Sequence, residues 1–122
     1  MTKIAVSSEG PDLDALVDPR FGRAAGFMIV DPQTMAFDYV DNGATQVMAQ
    51  GAGIQAAEII AGTGAGVLLT GYVGPKAFKA LSAAGIAVGQ NLNELTVRDA
   101  IQRFQQGDVE MAQAPNSRGH RA

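Results

Sequence analysis

The 122-residue sequence contains no cysteine, no tryptophan and a single histidine. Without cysteine there is no disulfide framework, no thiolate nucleophile and no thiolate metal ligand. The histidine, His120, stands in a polar C-terminal stretch outside any patterned segment. A histidine-assisted nucleophile therefore lacks a rigid frame, and Ser7 and Ser8 have no evident base. Basic residues are also few: nine Lys and Arg against twelve Asp and Glu, a net charge of −3. Broad nucleic-acid or membrane-surface binding needs a basic face, which this composition does not supply. No apolar run approaches the ~18 residues of a membrane span, and Met1-Thr2-Lys3-Ile4 does not open a secretory signal. The expectation is a cytoplasmic protein with no nucleic-acid or membrane partner. A two-metal nuclease would need several inward carboxylates, and Ile4-Ala5-Val6-Ser7 carries none. Walker and Rossmann fingerprints are absent.

What is present reads as alternating strands and helices. Lys3–Ser7 is a first strand, with Ile4 and Val6 on one face and Ala5 on the other. Phe27–Asp31 and Met35–Val40 form an antiparallel hairpin at a sheet edge, joined by the Asp31-Pro32-Gln33-Thr34 turn. The stretch around Ile54–Ala61 reads as a helix with Ile54, Ala57 and Ala61 on one face and Gly62 after its end. Gly66–Thr70 is nearly all apolar, hence buried on both faces and parallel to the first strand. A helix from Pro75 stops at Gly85, and Ile86–Gly89 follows as a parallel strand. Thr96 with Asp99 three residues on starts a third helix that Gly107 ends. The expected architecture is α/β: a mixed five-stranded sheet in the order β-β-β-α-β-α-β-α with helices on its faces. Residues 1–107 form the domain, and 108–122 read as a polar, mobile tail.

Ligands of such sheets sit beyond the carboxyl ends of the parallel strands. Two segments fall there. Gly71-Tyr72-Val73-Gly74-Pro75-Lys76 is a strand-to-helix turn, with Gly74 at the N-cap, Pro75 in the first turn and Lys76 one residue inside. Backbone N–H groups at a helix start attract anions. The same residues also serve simply as turn geometry. Arg20-Phe21-Gly22-Arg23 ends a long loop, and its two arginines either grip an anion or pair with Asp12, Asp14 or Asp18. Gly51 and Gly53, near a helix start, imply close packing or backbone approaching a ligand. Met48 is a thioether candidate for a soft metal, set against methionine's ordinary use in cores. The residues alone describe a non-catalytic binding domain with a basic, glycine-lined pocket.

Three stretches together resemble a known family. They are Asp18–Ala24, Gly51–Ala57, and Leu69–Phe78 with Leu81 and Ala84-Gly85-Ile86. In this order they are similar to the dinitrogenase iron–molybdenum cofactor biosynthesis family, over about residues 1–106. The resemblance implies a nitrogenase-accessory-factor-like domain of ribonuclease-H-like fold. It further implies binding or carrying of a metal–sulfur cofactor or its precursor, without chemistry on a substrate, and a link to partner ATPases. Some members carry Cys or His near the site, whereas this sequence has neither there. That absence argues against a thiolate-ligated Fe–S cluster and fits the orange-protein branch, whose molybdenum–copper sulfide cluster is held without covalent protein ligands. The implied cofactor site is Arg20, Phe21, Gly22, Arg23, Gly51, Gly53, Gly71, Tyr72, Val73, Gly74 and Lys76. In it Phe21, Tyr72 and Val73 would keep the cluster from water. Two rival functions use the same residues: a sensor for a phosphorylated small molecule, and an interaction module for a partner ATPase.

Overall fold

The fold is that of a computed structural model, which describes residues 2–43 and 51–113. Its sheet is mixed and has six strands in the order β3-β2-β1-β4-β5-β6. The strands are β1 (Ile4–Ser8), β2 (Gly26–Val30), β3 (Phe37–Asp41), β4 (Val67–Leu69), β5 (Ala87–Gln90) and β6 (Glu110–Met111). Three helices accompany them among the described residues: α1 (Ala52–Thr63), α2 (Pro75–Ala83) and α3 (Val97–Gln105). β1 runs parallel to β4, and β4 to β5. The β2–β3 hairpin adds to β1 antiparallel, with Ile4 opposite Val30 and Phe37 at the outer edge.

The pleat decides which side chains meet which helix. Ala5, Phe27, Ile29, Leu68 and Val88 point to one face, where Ala56 and Ile60 of α1 and Ala77 and Leu81 of α2 cover them. Ile4, Val6, Met28, Val30, Val67 and Leu69 point to the other, against Val97, Ala100 and Ile101 of α3. Burying each large aliphatic side chain contributes about 1.5–3 kcal/mol, so both layers hold the sheet. The small Ala5 lets helices approach, as its size suggests. Among the described residues no helix is long and apolar enough to cross a membrane.

Several expectations need correction. The sheet has a sixth strand, at Glu110–Met111, where five were expected. β6 is two residues long, too short to show a period. It holds on through Gly89, where a Cβ would come 2.7 Å from Val109 and 2.8 Å from Leu69. The Glu110 carboxylate accepts from Gln90 Nε2 and Asn91 Nδ2, and Ala112 N–H donates to Val88 O. α1 starts two residues before Ile54, and its C-cap is Gly64, in the left-handed region at φ 81, not Gly62. Its buried face is Ala52, Ala56, Ala57 and Ile60, so the stripe read through Ile54 and Ala61 is rotated toward solvent. β3 begins at Phe37 because Met35 turns the chain at φ 64. Met28 fills the core, whereas Met48 lies outside the described residues, as does the chain beyond 113 with His120.

Candidate functional site

The loops that leave the carboxyl ends of β1, β4 and β5 meet at one end of the sheet. The first runs out of β1, folds against the start of α3, and crosses at Asp18–Pro19 to the α1–α2 side. Val17 N–H donates to Leu95 O, and Asp18 N–H to Ser7 O. Beyond the crossing, the chain pairs with the segment that leaves β4. Tyr72 N–H donates to Pro19 O at 2.7 Å, and Phe21 N–H to Tyr72 O at 3.2 Å. Arg20 and Tyr72 are thus a parallel bridge pair. The two segments singled out from the sequence are neighbours through their backbones.

Glycines make this closeness possible. A Cβ on Gly71 would lie 2.7 Å from Pro19 O and 2.8 Å from Pro19 Cα. One on Gly22 would lie 2.9 Å from Gly53 N, and one on Gly53 2.9 Å from Ala77 Cβ. The Arg20–Arg23 loop therefore rests on the start of α1, and the start of α1 rests on the first turn of α2. Of the two origins suggested for Gly53, close packing holds. Gly51 is the N-cap of α1 at φ 77, where a side chain would be strained.

The two helix starts share an electrostatic character. Neither α1 nor α2 has a side-chain N-cap hydrogen bond or an acidic residue in its first turn. By contrast, α3 is capped by Thr96, whose side chain accepts from Asp99 N–H at 3.1 Å, and it carries Asp99 in its first turn. Gly74 caps α2 in an extended conformation, and Pro75 occupies the first turn. The N–H groups of Lys76 and Ala77 belong to a first turn, which has no acceptor within the helix. Two positive helix ends thus lie together, with Arg20 and Lys76 exposed and Arg23 half-buried beside them.

Not every predicted residue faces the same way. Tyr72 is 43% exposed, but Phe21 and Val73 are each 1% exposed and belong to the core. The Phe21 ring packs on Phe27 with centroids 5.5 Å apart. Phe21 and Val73 anchor the two loops from beneath, so of the three residues read as shielding a cluster from water, only Tyr72 reaches the surface. Of the acids proposed as partners for the arginines, Asp14 and Asp18 also make other contacts. Asp14 pairs with Arg98 at 3.0 Å. That hydrogen bond and the Asp14 charge raise the Arg98 pKa. Asp18 is turned inward and is 5% exposed.

Two buried polar residues hold the arginine loop: Asp18, read from the sequence as an ion-pair candidate, and Asn42, which the sequence did not single out. Asp18 Oδ1 accepts from Arg20 N–H and its Oδ2 from Ala25 N–H, each at 3.2 Å. Asn42 Nδ2 donates to Ala24 O at 2.9 Å and to Gly22 O at 3.4 Å, and Asn42 N–H donates to Ala25 O. The carboxylate takes the loop's N–H groups while the amide takes its carbonyls. Asn42 is 1% exposed, and its Oδ1 has no hydrogen-bond partner. No spacing in the sequence reveals that Asp18 and Asn42 clamp one loop. Below them, Ser7 Oγ donates to Asp18 O, and Ser7 and Thr70 share a hydrogen bond that ties β1 to β4.

The two helix starts and the arginine loop beside them form the seat. Clefts of about 330 and 320 Å³ lie elsewhere, one between α2 and the β5–β6 edge and one at the opposite end of the sheet near Ile4 and Phe104. Among the described residues no three His, Cys, Asp or Glu side chains gather as metal ligands. The donor set at the seat is cationic and N–H in type, which suits an anion and not a bare metal ion.

A family model described as dinitrogenase iron-molybdenum cofactor matches residues 2–107. An uncharacterized protein of Methanocaldococcus jannaschii is 30% identical over 97 residues, covering 77% of this chain and 80% of its own. Among solved structures, the apo form of the orange protein from Desulfovibrio gigas is 68% identical with a TM-score of 0.93, covering 96% of this chain and 98% of that one. A NifB candidate from Thermotoga, solved by NMR, is 34% identical with a TM-score of 0.77, covering 90% of this chain and 92% of that one.

Proposed function

The chain belongs to the dinitrogenase iron–molybdenum cofactor family, and from that premise we propose that it is a non-catalytic carrier of an anionic metal–sulfur cluster. The observation that carries the reading is the pair of helix starts without acids or side-chain caps beside Arg20 and Lys76. A cluster that brings its own sulfides needs no thiolate from the protein, and the chain has no cysteine to give. It needs neutralisation and donors. Arg20, Arg23 and Lys76 supply charge, and the first-turn N–H groups of α1 and α2 supply donors aimed along positive helix ends. Each hydrogen bond to a charged group contributes about 1.5–3 kcal/mol, so a few suffice for retention without covalent ligation. Tyr72 covers part of the cargo.

The cargo of this reading is a molybdenum–copper sulfide cluster or an iron–molybdenum cofactor precursor. The orange protein, to which the chain is 68% identical, was solved in a form called apo, which supports a bound state for this chain too. The reading also takes the protein as cytoplasmic and loaded or unloaded by partner ATPases. It takes the β3-β2-β1-β4-β5 part of the sheet as ribonuclease-H-like, with β6 added at the edge. Reconstitution tests the cargo. The full chain is mixed with tetrathiomolybdate and copper, passed through gel filtration, and examined by visible spectroscopy and metal analysis. Cluster absorption that travels with the protein is expected; colourless protein without molybdenum would overturn the reading.

A further inference from the structure

The carboxyl-end face that holds the seat is divided in charge. The divide is the Asp18–Pro19 crossing, where the loop after β1 passes from the α3 side to the α1–α2 side. On the α3 side, Glu9, Asp12, Asp14, Glu94 and Asp99 are all exposed. Hydrogen bonds gather them around one small area: Glu9 N–H donates to Leu16 O, Val97 N–H to Ala15 O, and Arg98 N–H to Leu13 O. The base there, Arg98, is already paired with Asp14. On the other side stand Arg20 and Lys76, both exposed. Each half also shows one large apolar side chain to solvent, Leu16 at 46% and Tyr72 at 43% exposure.

We propose that this face docks against the same face of a second copy of the chain, related by a two-fold axis along the charge divide. Such an axis lays the basic half of each copy over the acidic half of the other and brings Tyr72 of each toward Leu16 of the other. Isologous pairing of this kind uses each contact twice. A surface with acids on one side and bases on the other is self-complementary only in this arrangement. Complementary potentials steer association, whereas like charges placed opposite each other oppose it. Two apolar side chains per copy and exposed charges make a weak, salt-sensitive dimer of the transient class. The proposal concerns the unloaded chain, so its failure leaves the cargo reading standing, while a cargo in the seat competes with the second copy for Arg20, Lys76 and Tyr72.

Sedimentation velocity on the full unloaded chain tests it over a concentration series, at ionic strengths where the screening length falls from about 30 Å to about 3 Å. Wild type dimerises at low salt and is monomeric at high salt. The Arg20→Glu/Lys76→Glu variant has two acidic halves, and the Glu9→Lys/Asp12→Lys variant cancels the negative charge of its acidic half. Each alone loses at least about tenfold in association constant, and the two mixed together form a heterodimer. All four positions are exposed, and circular dichroism checks that both variants fold. A wild type that stays monomeric at low salt, or dimerisation that survives either charge reversal, overturns the proposal; the first result would leave the face to a different partner.

Discussion

Gly53 and Ala77 touch across the α1–α2 interface, where a Cβ added to Gly53 would come 2.9 Å from that of Ala77. This contact lays two helix starts side by side and so makes one seat from two positive ends. The substitution Gly53→Val forces the helices apart. Overpacking of this kind costs about 1–3 kcal/mol, measurable as a lower urea midpoint at unchanged slope. Anion uptake should fall as well, because the two starts separate.

Gly71 has backbone, not side chain, in its way: Pro19 O at 2.7 Å and Pro19 Cα at 2.8 Å. Backbone cannot step aside as a flexible side chain can. Gly71→Ala should therefore break the Tyr72 N–H to Pro19 O hydrogen bond. Hydrogen exchange reads this directly, as lost protection at the amides of Tyr72 and Phe21 with the β1 and β2 amides still protected.

Asn42 holds the arginine loop from beneath through Gly22 O and Ala24 O. Asn42→Ala strands buried carbonyls, at about 1–3 kcal/mol. Asn42→Asp has the same shape but loses both donors and places a second carboxylate near Asp18. It should impair anion uptake more than Asn42→Ala does. Equal uptake by the two, measured at matched fractions folded, would reduce Asn42 to a purely structural role.

Much of the fold was legible in the sequence because its cause is local. Ile4, Ala5 and Val6 alternate, Val67–Leu69 is uniformly apolar, and Gly74-Pro75 and Thr96 with Asp99 mark helix starts. The strand order then follows from right-handed crossovers, which is why Arg20–Arg23 and Gly71–Lys76 were expected at one end. What was not legible depends on distant partners. Asp14 meets Arg98, Asp18 serves Ala25, and Asn42 serves Ala24; none of these pairings has a local period. Phe21 and Val73 sit among glycines in exposed loops, so their burial shows only once both loops have folded over the core. β6 exists because β5 offers an edge, not because Glu110 and Met111 prefer a strand.

Tyr39 carries a pH dependence. Burial raises its phenol above the ordinary value, and Asp41 and Asp18 add to the rise. A raised value means the folded state holds the proton more tightly than the unfolded state. The contribution to stability is full below about pH 10 and is lost as pH climbs through the folded value. Tyr39→Phe should flatten this alkaline loss, as read from denaturation midpoints across that range. An unchanged alkaline profile would assign the loss to other groups.

The most direct test of a charge-held cargo is titration of tetrathiomolybdate into wild type, Arg20→Ala, Lys76→Ala and the double variant, at low and at high salt. These side chains are exposed, so stability should stay within about 0.5 kcal/mol of wild type. The predicted result is weaker binding for each single variant, at least about tenfold weaker for the double, and a smaller salt dependence as charges are removed. Wild-type affinity in the double variant, with the salt dependence unchanged, would contradict the assignment of Arg20 and Lys76 to the seat.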